Sequence, residues 1–410
     1  MAADSTIVAL DIGTSKICAI IAELTESGEP EFLGMGVTPS SGLRRGVVIN
    51  IEATLRSVAE AIEEAEQNAG REVQSVITGV AGGHIEGMNS RGVVAVTGRG
   101  REITQADIDR VIDAARAVVI PMDREILHVI PQEFIVDDQA GIRNPLDMIG
   151  VRLESEVHII TGSVTSAQNL VKCINRAGFR VNQMVLDGLA AAGTVLSTDE
   201  RELGVLLLDL GGGTTDMLVY SDGAPYYTGV VGIGGAQVTN DISIMLKTPV
   251  ESAERIKCEA GCCYVDMVEE NEPVIIPGVG GRPPLSIQRR GLAEIIQPRM
   301  EEIFGMVREK LEKKGYLRSI GGGVVLTGGG ALLPGAVDLA QDIFGTPARI
   351  GRPMDRQGLP AVYQKAELAT AVGLVQYAAA HMDPIRSDVG RREGGRTLHT
   401  LGKWIRNFFE

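Results

Sequence analysis

The sequence predicts an α/β protein built from two related lobes, and three observations support that prediction. The chain is 410 residues long, which exceeds the ~250 to 300 residues at which a single hydrophobic core stops growing. Apolar runs with strand-like and helix-like spacing alternate along most of it, as in other α/β proteins. A short motif at Asp11 to Lys16 has a close counterpart at Asp209 to Asp216, about half the chain later. We therefore expect a duplicated domain.

Each copy of the motif lies between two strand-like runs. DIGTSK follows Thr6 to Leu10 and precedes Ile17 to Leu24. DLGGGTTD in the same way follows Val205 to Leu208 and precedes Met217 to Tyr220. Both arrangements predict a β-hairpin with a polar, glycine-bearing turn.

Two stretches interrupt the alternation, and we interpret them as inserted subdomains. Residues 84–161 carry strand-like runs around one helix, which Thr104 caps together with Asp107. Residues 234–308 contain a helix from Val250, a proline-glycine loop and a long helix with one apolar face.

A third glycine-rich segment follows the second insertion. Val324 to Thr327 is predicted to be a buried strand that leads into Gly328, Gly329 and Gly330. We expect a helix from Ala331 onward, so that helix N-terminal N–H groups face a ligand.

Composition excludes several classes of function. The net charge of −14 disfavours nucleic acid as a partner. The five cysteines are an odd number in a long chain, which argues against a disulfide framework and fits a reducing cytoplasm. No His lies near Cys258, Cys262 and Cys263, so we expect no zinc site. No run of 18 apolar residues and no signal peptide is present, so we expect a chain that is neither secreted nor membrane-spanning.

The glycine loops have the chemistry of a phosphate site. Glycine lets backbone N–H groups approach an anion, and Thr and Ser hydroxyls add donors. Lys16 would neutralise phosphate charge. Two strand-end aspartates, Asp11 and Asp209, would repel phosphate alone and therefore imply Mg²⁺ held through water. The residues predicted to bind the cofactor in these loops are Asp11, Gly13, Thr14, Ser15, Lys16, Asp209, Gly211, Gly212, Gly213, Thr214, Thr215, Gly328, Gly329 and Gly330.

These motifs resemble those of the actin, sugar-kinase and heat-shock-chaperone ATPase superfamily. DIGTSK, DLGGGTTD and LTGGGALLPG are similar to its two phosphate motifs and its adenosine motif, and LDGLAAAG and LATAVG to its inter-lobe helices. The resemblance implies an actin-like two-lobed fold of duplicated ribonuclease-H-like domains, with ATP and Mg²⁺ as cofactors. It also assigns adenosine contacts to Glu254 and Lys257 in the segment SAERIK.

Within that superfamily the chain most resembles the FtsA family of bacterial cell-division proteins. The segments HVIPQEF, GIRNPLDMIGVRLESEVHIIT and QRRGLAEIIQPR carry this resemblance. It implies subdomain 1A at residues 1–83, 162–197 and 366–380, subdomain 1C at 84–161, subdomain 2A at 198–233 and 309–365, and subdomain 2B at 234–308.

The same resemblance implies partners. Family members polymerise, anchor the tubulin-like protein FtsZ at the division site on the cytoplasmic face of the inner membrane, and recruit later division proteins through subdomain 1C. Subdomain 2B receives the FtsZ C-terminal peptide, and the basic residues in the matching stretch are Arg282, Arg289, Arg290 and Arg299. Basic side chains suit an acidic peptide.

The C-terminus has a different character. Residues 381–397 are polar with two glycines, which predicts a flexible linker. Residues 398–410 form an amphipathic pattern that predicts an interfacial membrane helix for anionic lipid. One such short helix should bind weakly, whereas several on one polymer should bind tightly. Its membrane-facing residues are predicted to be Leu398, Leu401, Lys403, Trp404, Ile405, Arg406, Phe408 and Phe409.

Two alternatives share the fold. One is a soluble Mg·ATP-dependent kinase, which would need an acceptor pocket with a general base. The other is a scaffold ATPase of the pilus-assembly type. No hydrolytic base is assigned, although the resemblance gives Asp209 a part in positioning water or metal. We expect at most slow ATP hydrolysis, below about 1 s⁻¹.

Overall fold

A computed structural model describes residues 6–381 apart from positions 98, 270–271, 278–282 and 356–357. Arg282 and the predicted membrane helix at 398–410 lie outside the described residues. Of the predicted linker, only His381 is described, as the last residue of a helix.

The described chain alternates strands and helices. The strands are β1 Thr6–Ile12, β2 Lys16–Leu24, β3 Pro30–Pro39, β4 Leu43–Arg44, β5 Val47–Val48, β6 Ser75–Val80, β7 Glu86–Ala95, β8 Arg124–Val136, β9 Gln139–Ile142, β10 Arg152–Ser163, β11 Arg180–Leu186, β12 Val205–Leu210, β13 Thr215–Ser221, β14 Ala224–Val231, β15 Pro273–Ile276, β16 Leu285–Gln288, β17 Val324–Thr327 and β18 Ala348–Ile350. The α-helices are α1 Ile51–Ala69, α2 Gln105–Arg116, α3 Val164–Arg176, α4 Asp187–Val195, α5 Thr198–Leu203, α6 Gly235–Leu246, α7 Val250–Ala260, α8 Arg289–Lys314, α9 Ala336–Phe344 and α10 Ala369–His381.

Two five-stranded sheets have the same topology. One has the order β11-β6-β1-β2-β3 and the other β14-β13-β12-β17-β18. In each, three antiparallel strands that are consecutive in the chain are followed across the sheet by two parallel ones. Strand β1 in the first lobe therefore corresponds to β12 in the second. The prediction of an α/β protein with duplicated lobes is confirmed.

Local sequence explains why these elements form, as α1 illustrates. The Asn50 side chain accepts a hydrogen bond from the Ala53 N–H at the start, and Gly70 ends the helix with a φ of 62°. Val58 and Ile62 are fully buried against the sheet of the first lobe. Burying each of these side chains contributes about 1.5–3 kcal/mol.

The two lobes are joined by a pair of helices with small residues at their contact. A Cβ added to Gly373 of α10 would lie 1.9 Å from the carbonyl oxygen of Ala190 in α4. The absence of a side chain at Gly373 therefore lets the two backbones touch. Helix α4 contributes to the cores of both lobes, because Ala190 packs in the first and Ala191 and Val195 pack with strands of the second.

The first insertion is a separate layer. Strands β7, β10, β8 and β9 form an antiparallel sheet in that order, and α2 packs on it. Thr104 and Asp107 form a capping box at the start of α2, as predicted. The apolar runs Ile126 to Ile130 and Phe134 to Val136 both belong to the single strand β8.

The second insertion contains the helix predicted from Val250, which is α7, and the long helix α8. The hairpin β15–β16 lies between them in the chain. The apolar face of α8 is buried in the core of the second lobe, with Leu292, Ile296, Ile303 and Phe304 among its residues.

Candidate functional site

The turns of the two repeated hairpins meet face to face. Gly13 to Ser15 joins β1 to β2, and Gly211 to Thr214 joins β12 to β13. A Cβ on Gly212 would lie 1.9 Å from Ser15 Oγ, and one on Gly213 would lie 2.6 Å from Thr14 Oγ1. Since real Cβ atoms do not approach so closely, only glycine lets the loops touch.

The third glycine segment closes on the second loop. Gly328 has a φ of +80°, and a Cβ there would lie 2.2 Å from Asp209 Oδ1. The expectation of an α-helix from Ala331 is wrong. Residues Gly329–Leu332 form a single 3₁₀ turn, and α9 begins only at Ala336.

The physical reason lies in the residues between these two helices. Pro334 has no N–H to donate to a helical hydrogen bond, and Gly335 is left-handed with a φ of +83°. The N–H groups of Ala331 and Leu333 donate to the carbonyl oxygens of Gly328 and Gly330 inside the turn. The glycines therefore do not form the N-terminus of α9.

A cavity of about 470 Å³ lies where the three glycine segments meet. Every residue that the sequence predicted to contact the cofactor lines it, from the first hairpin, the second hairpin, α7 and the third glycine segment. These are Asp11, Gly13, Thr14, Ser15, Lys16, Asp209, Gly211, Gly212, Gly213, Thr214, Thr215, Glu254, Lys257, Gly328, Gly329 and Gly330.

Sequence reasoning did not assign further residues of the same wall. Asp187 begins α4, and Asp216 lies opposite Asp209 in the β12–β13 register. Both fall within motifs that carried the family resemblance, so a search for acidic residues at strand ends would have found them. Other unassigned residues of the wall are Gly46, Ala81, Gly234, Gly235, Val238, Met300, Ile303, Leu333, Glu367 and Thr370.

Four carboxylates lie at one end of the cavity, and burial is the main cause that raises their pKa values. Burial raises the pKa of Asp11 to about 6, with Lys16 opposing and Asp209 adding to the shift. Burial and the charge of Asp209 raise the pKa of Asp216 to about 7. The pKa of Asp187 is raised well above its usual value by burial and by its acidic neighbours. Burial raises that of Asp209, while Thr370 and Lys16 lower it.

These carboxylates suit a hydrated divalent cation rather than direct coordination, because the described residues hold no group of three or more His, Cys, Asp or Glu side chains placed to bind a metal. Asp187 Oδ1 and Asp216 Oδ1 are buried and have no hydrogen-bond partner among the described residues. Leaving such oxygens unpaired is costly, and a hydrated Mg²⁺ would supply both donors and charge. The donor set, all carboxylate oxygen, is the one that Mg²⁺ prefers.

Two lysines face the cavity from opposite lobes. Lys16 Nζ donates to the carbonyl oxygen of Glu367 at 2.5 Å. Lys257 Nζ donates to Glu254 Oε2 at 2.7 Å and to the Gly235 carbonyl oxygen at 3.1 Å. Ion pairing with Lys257 and a hydrogen bond from Thr239 hold the pKa of Glu254 below its usual value, against the effect of burial. The site therefore has a basic and an acidic group at each end.

Of the arginines predicted to contact a partner peptide, the three that the structure describes already have acidic neighbours. Arg289 pairs with Glu272 at 2.8 Å and Arg290 with Glu294 at 3.8 Å. Arg299 pairs with Asp241 at 2.6 Å and also with Glu302. An acidic peptide would have to displace these carboxylates from the arginines. The competition would be weakest at Arg290, because its distance to the paired carboxylate is the longest of these.

His128 of β8 has a structural role and does not line the cavity. It is buried, and its Nε2 accepts a hydrogen bond from the Leu186 N–H at 3.0 Å. Burial lowers its pKa to about 4, with His381 contributing. A neutral ring that accepts a backbone hydrogen bond ties the inserted sheet to the end of β11.

Comparison with known sequences assigns the family. The sequence model described as "Cell division protein FtsA" matches residues 206–373, and the one described as "SHS2 domain inserted in FTSA" matches residues 82–161. The FtsA of Borreliella burgdorferi is 51% identical over 372 residues, which cover 90% of both chains. The FtsA of Escherichia coli K12 is 39% identical over 414 residues, which cover 98% of both.

Comparison with solved structures shows the fold. The type IV pilus biogenesis complex PilM–PilN has a chain with a TM-score of 0.62 and 16% identity, with 91% of this chain and 98% of that chain covered. MreB 5 of Spiroplasma citri bound to AMPPNP gives a TM-score of 0.54 at 14% identity, with 92% and 96% covered. These likenesses confirm the predicted actin-like fold. At 51% identity over 90% of its length to a curated relative, the chain belongs to the FtsA family of cell division proteins.

Proposed function

We propose that this chain binds Mg·ATP between its lobes and, as an actin-like polymer, links FtsZ filaments to the cytoplasmic face of the bacterial inner membrane. The observation that supports the nucleotide site best is the convergence of three glycine segments and four aspartates, two of them buried and two partly buried, on one cavity. Family membership supports the role in cell division.

The lining residues divide into a phosphate end and a nucleoside end. Backbone N–H groups and hydroxyls of the two hairpin turns, together with Lys16, would bind the phosphates. Asp11 and Asp209 would hold Mg²⁺ through water. Glu254, Lys257 and the Gly328–Gly330 turn would bind the adenosine, against the apolar side chains of Met300 and Ile303.

Hydrolysis is expected to be slow. No residue that lines the cavity is a histidine, and Asp11 and Asp209 would be engaged with the hydrated Mg²⁺ rather than free to take a proton from water. Bound Mg²⁺ would offset phosphate charge, and Asp187, with its unpaired Oδ1, is placed to orient a water. We expect nucleotide to set the assembly state.

The partner contacts rest on the family and on surface charge. The FtsZ C-terminal peptide would bind the second insertion at Arg282, Arg289, Arg290 and Arg299, and later division proteins would bind the first insertion. The C-terminal helix would insert in anionic lipid. In the described part of the chain, none of the helices combines the length and the hydropathy needed to cross a bilayer.

Co-sedimentation tests the membrane and FtsZ parts together. The full chain with Mg·ATP should pellet with anionic vesicles of phosphatidylglycerol and carry FtsZ filaments with it. A chain ending at Thr397, and the variant Trp404→Glu, should stay in the supernatant while still binding FtsZ. Equal pelleting of the full and truncated chains would contradict the anchor. Pelleting of the full chain without FtsZ would contradict the tether.

A further inference from the structure

The cavity carries more negative than positive side chains. Its wall contains four aspartates and two glutamates but only two lysines, Lys16 and Lys257. Lys257 is paired with Glu254. A bound triphosphate adds several more negative charges, and one divalent cation does not offset them all. The electrostatics therefore call for another cation near the phosphate end.

A small hairpin places its turn at that end. Strands β4 and β5 pair Arg44 with Val47, which leaves Arg45 and Gly46 as a two-residue turn. Both turn residues have positive φ values, 52° for Arg45 and 74° for Gly46. This geometry favours Asn or Gly at both positions, so the chain has an arginine where its Cβ is unfavourable.

The turn contacts two loops of the cavity and the start of the first insertion. The Gly46 N–H donates to Thr14 Oγ1 of the first loop at 3.1 Å. A Cβ on Gly213 of the second loop would lie 3.0 Å from the Arg45 Cα. A Cβ on Gly46 would lie 2.8 Å from the Cα of Gly82, where the first insertion begins. Gly46 itself lines the cavity.

The Arg45 side chain extends over the second lobe and has no partner there. Its Cδ lies 3.9 Å from the position of a Cβ on Gly232, which precedes the cavity residues Gly234 and Gly235. The side chain is exposed, and in the described part of the chain it takes part in no ion pair or side-chain hydrogen bond. Arg45 does not itself line the cavity, but it lies next to Gly46, which does, and its backbone lies beside Gly213 of the second loop.

We propose that Arg45 is a phosphate-binding residue of this site, which contacts the terminal phosphate of a bound nucleoside triphosphate. This inference rests on the proposed nucleotide site and adds a cation that none of the glycine motifs contains. Because the same turn packs on Thr14, Gly213 and Gly82, contact with the terminal phosphate would also transmit the nucleotide state to the first insertion. Arginine suits this position, because its planar donors match phosphate oxygens.

Binding of ATP, ADP and AMP to the full chain with Mg²⁺, measured by titration calorimetry, tests the proposal. Arg45→Ala should weaken ATP binding about tenfold, the loss of one charged hydrogen bond. ADP binding should weaken much less, and AMP binding should not change. Arg45→Lys should recover part of the ATP affinity. The matched control is Arg44→Ala, which removes the same charge from the neighbouring position and should leave all three affinities unchanged.

Two results would overturn the proposal. One is ATP affinity in Arg45→Ala equal to that of the wild type. The other is an equal loss for ATP, ADP and AMP, since a structural role of the turn would affect all three alike. If the wild type bound none of the nucleotides, the proposed function would fail together with this inference. If it bound them and Arg45→Ala did so equally, only the inference would fail.

Discussion

Ser15 and Gly212 belong to different lobes, yet a Cβ on Gly212 would lie 1.9 Å from the Ser15 Oγ. The two hairpin loops are therefore in contact, and both of them line the cavity. The distance between the lobes at this point is set by the absence of a side chain. An added Cβ at Gly212 requires the Ser15 side chain to turn away or the loops to shift, because the Ser15 Cβ would also lie only 3.0 Å from it.

Gly212→Ala is the direct test of that contact. Overpacking of this kind costs about 1–3 kcal/mol of unfolding free energy, and the displaced loops should also bind nucleotide less tightly. Urea unfolding and ATP titration measure the two effects. The control is Gly193→Ala in α4, where an added Cβ meets nothing within 4 Å. This variant should be more stable than the wild type by up to about 1 kcal/mol, because alanine has the higher helix propensity. Equal stability of Gly212→Ala and the wild type would show that the loops can separate freely.

The two lysines should have separable effects on nucleotide binding. Lys257→Ala removes the group that contacts Glu254 and the Gly235 carbonyl oxygen. We expect a similar loss, about tenfold, for ATP, ADP and adenosine, because the lost contact is to the nucleoside. Lys16→Ala should weaken ATP binding most and adenosine binding least. Competition titrations with the three ligands measure these ratios.

Arg255→Ala supplies the matched control for Lys257→Ala. Arg255 lies on the same helix, α7, but is exposed and does not line the cavity. Its loss should leave all three affinities unchanged. If Lys257→Ala reduced ATP affinity while adenosine affinity was unchanged, Lys257 would belong to the phosphate end.

Much of this site could be predicted from the sequence because glycine and aspartate at strand ends are local signals. The duplicated hairpins at Asp11 and Asp209 predicted both halves of the cavity. The two five-stranded sheets that carry these hairpins have equivalent strand orders. The helix expected from Ala331 does not form there, because Pro334 and Gly335 separate the 3₁₀ turn at Gly329–Leu332 from α9.

Other features depend on contacts between distant segments, which no local pattern records. Asp187 and Asp216 matter because tertiary packing brings four carboxylates together. The position of Arg45 beside the second loop depends on the packing of the β4–β5 turn against Gly213, which is far away in sequence. The ion pairs of Arg289 and Arg299 with Glu272 and Asp241 likewise link segments that are far apart in sequence.

His158 should make stability depend on pH. It lies in β10, its Nδ1–H donates to Asn89 Oδ1 at 2.6 Å, and its Nε2 accepts from Thr228 Oγ1 of β14 at 2.9 Å. Burial lowers its pKa from 6.5 to about 4. Between those values the unfolded chain binds a proton that the folded chain does not. The unfolding free energy that depends on His158 is therefore present above pH 6.5 and falls as the pH is lowered toward 4.

Urea unfolding at pH 7.5 and pH 5 measures this effect against His158→Gln, which cannot titrate. We expect the wild type to lose about 2 kcal/mol more than the variant between the two values. Asp11 and Asp216 have raised pKa values and so stabilise the fold increasingly as pH falls. Both carboxyl groups are present in the wild type and in His158→Gln, so their contribution cancels when the two losses are compared. Equal losses would contradict the buried neutral state of His158.

Arg290 should bind the FtsZ peptide without supporting the fold. Its contact with Glu294 is long and partly exposed, and such pairs contribute about 0–1 kcal/mol. Arg290→Glu should therefore leave unfolding unchanged and weaken binding of a labelled FtsZ C-terminal peptide, measured by fluorescence anisotropy. Arg308→Glu near the other end of α8 should leave the peptide affinity unchanged. If both variants bound the peptide equally well, the peptide would dock elsewhere.

A crystal structure of the chain soaked with Mg²⁺ and ATP would show whether ATP lies between the two hairpin loops. We expect the triphosphate between Gly13–Lys16 and Gly211–Thr215, with the metal next to Asp11 and Asp209 and the adenosine beside Lys257. A nucleotide bound at another surface, with this cavity empty, would contradict this expectation.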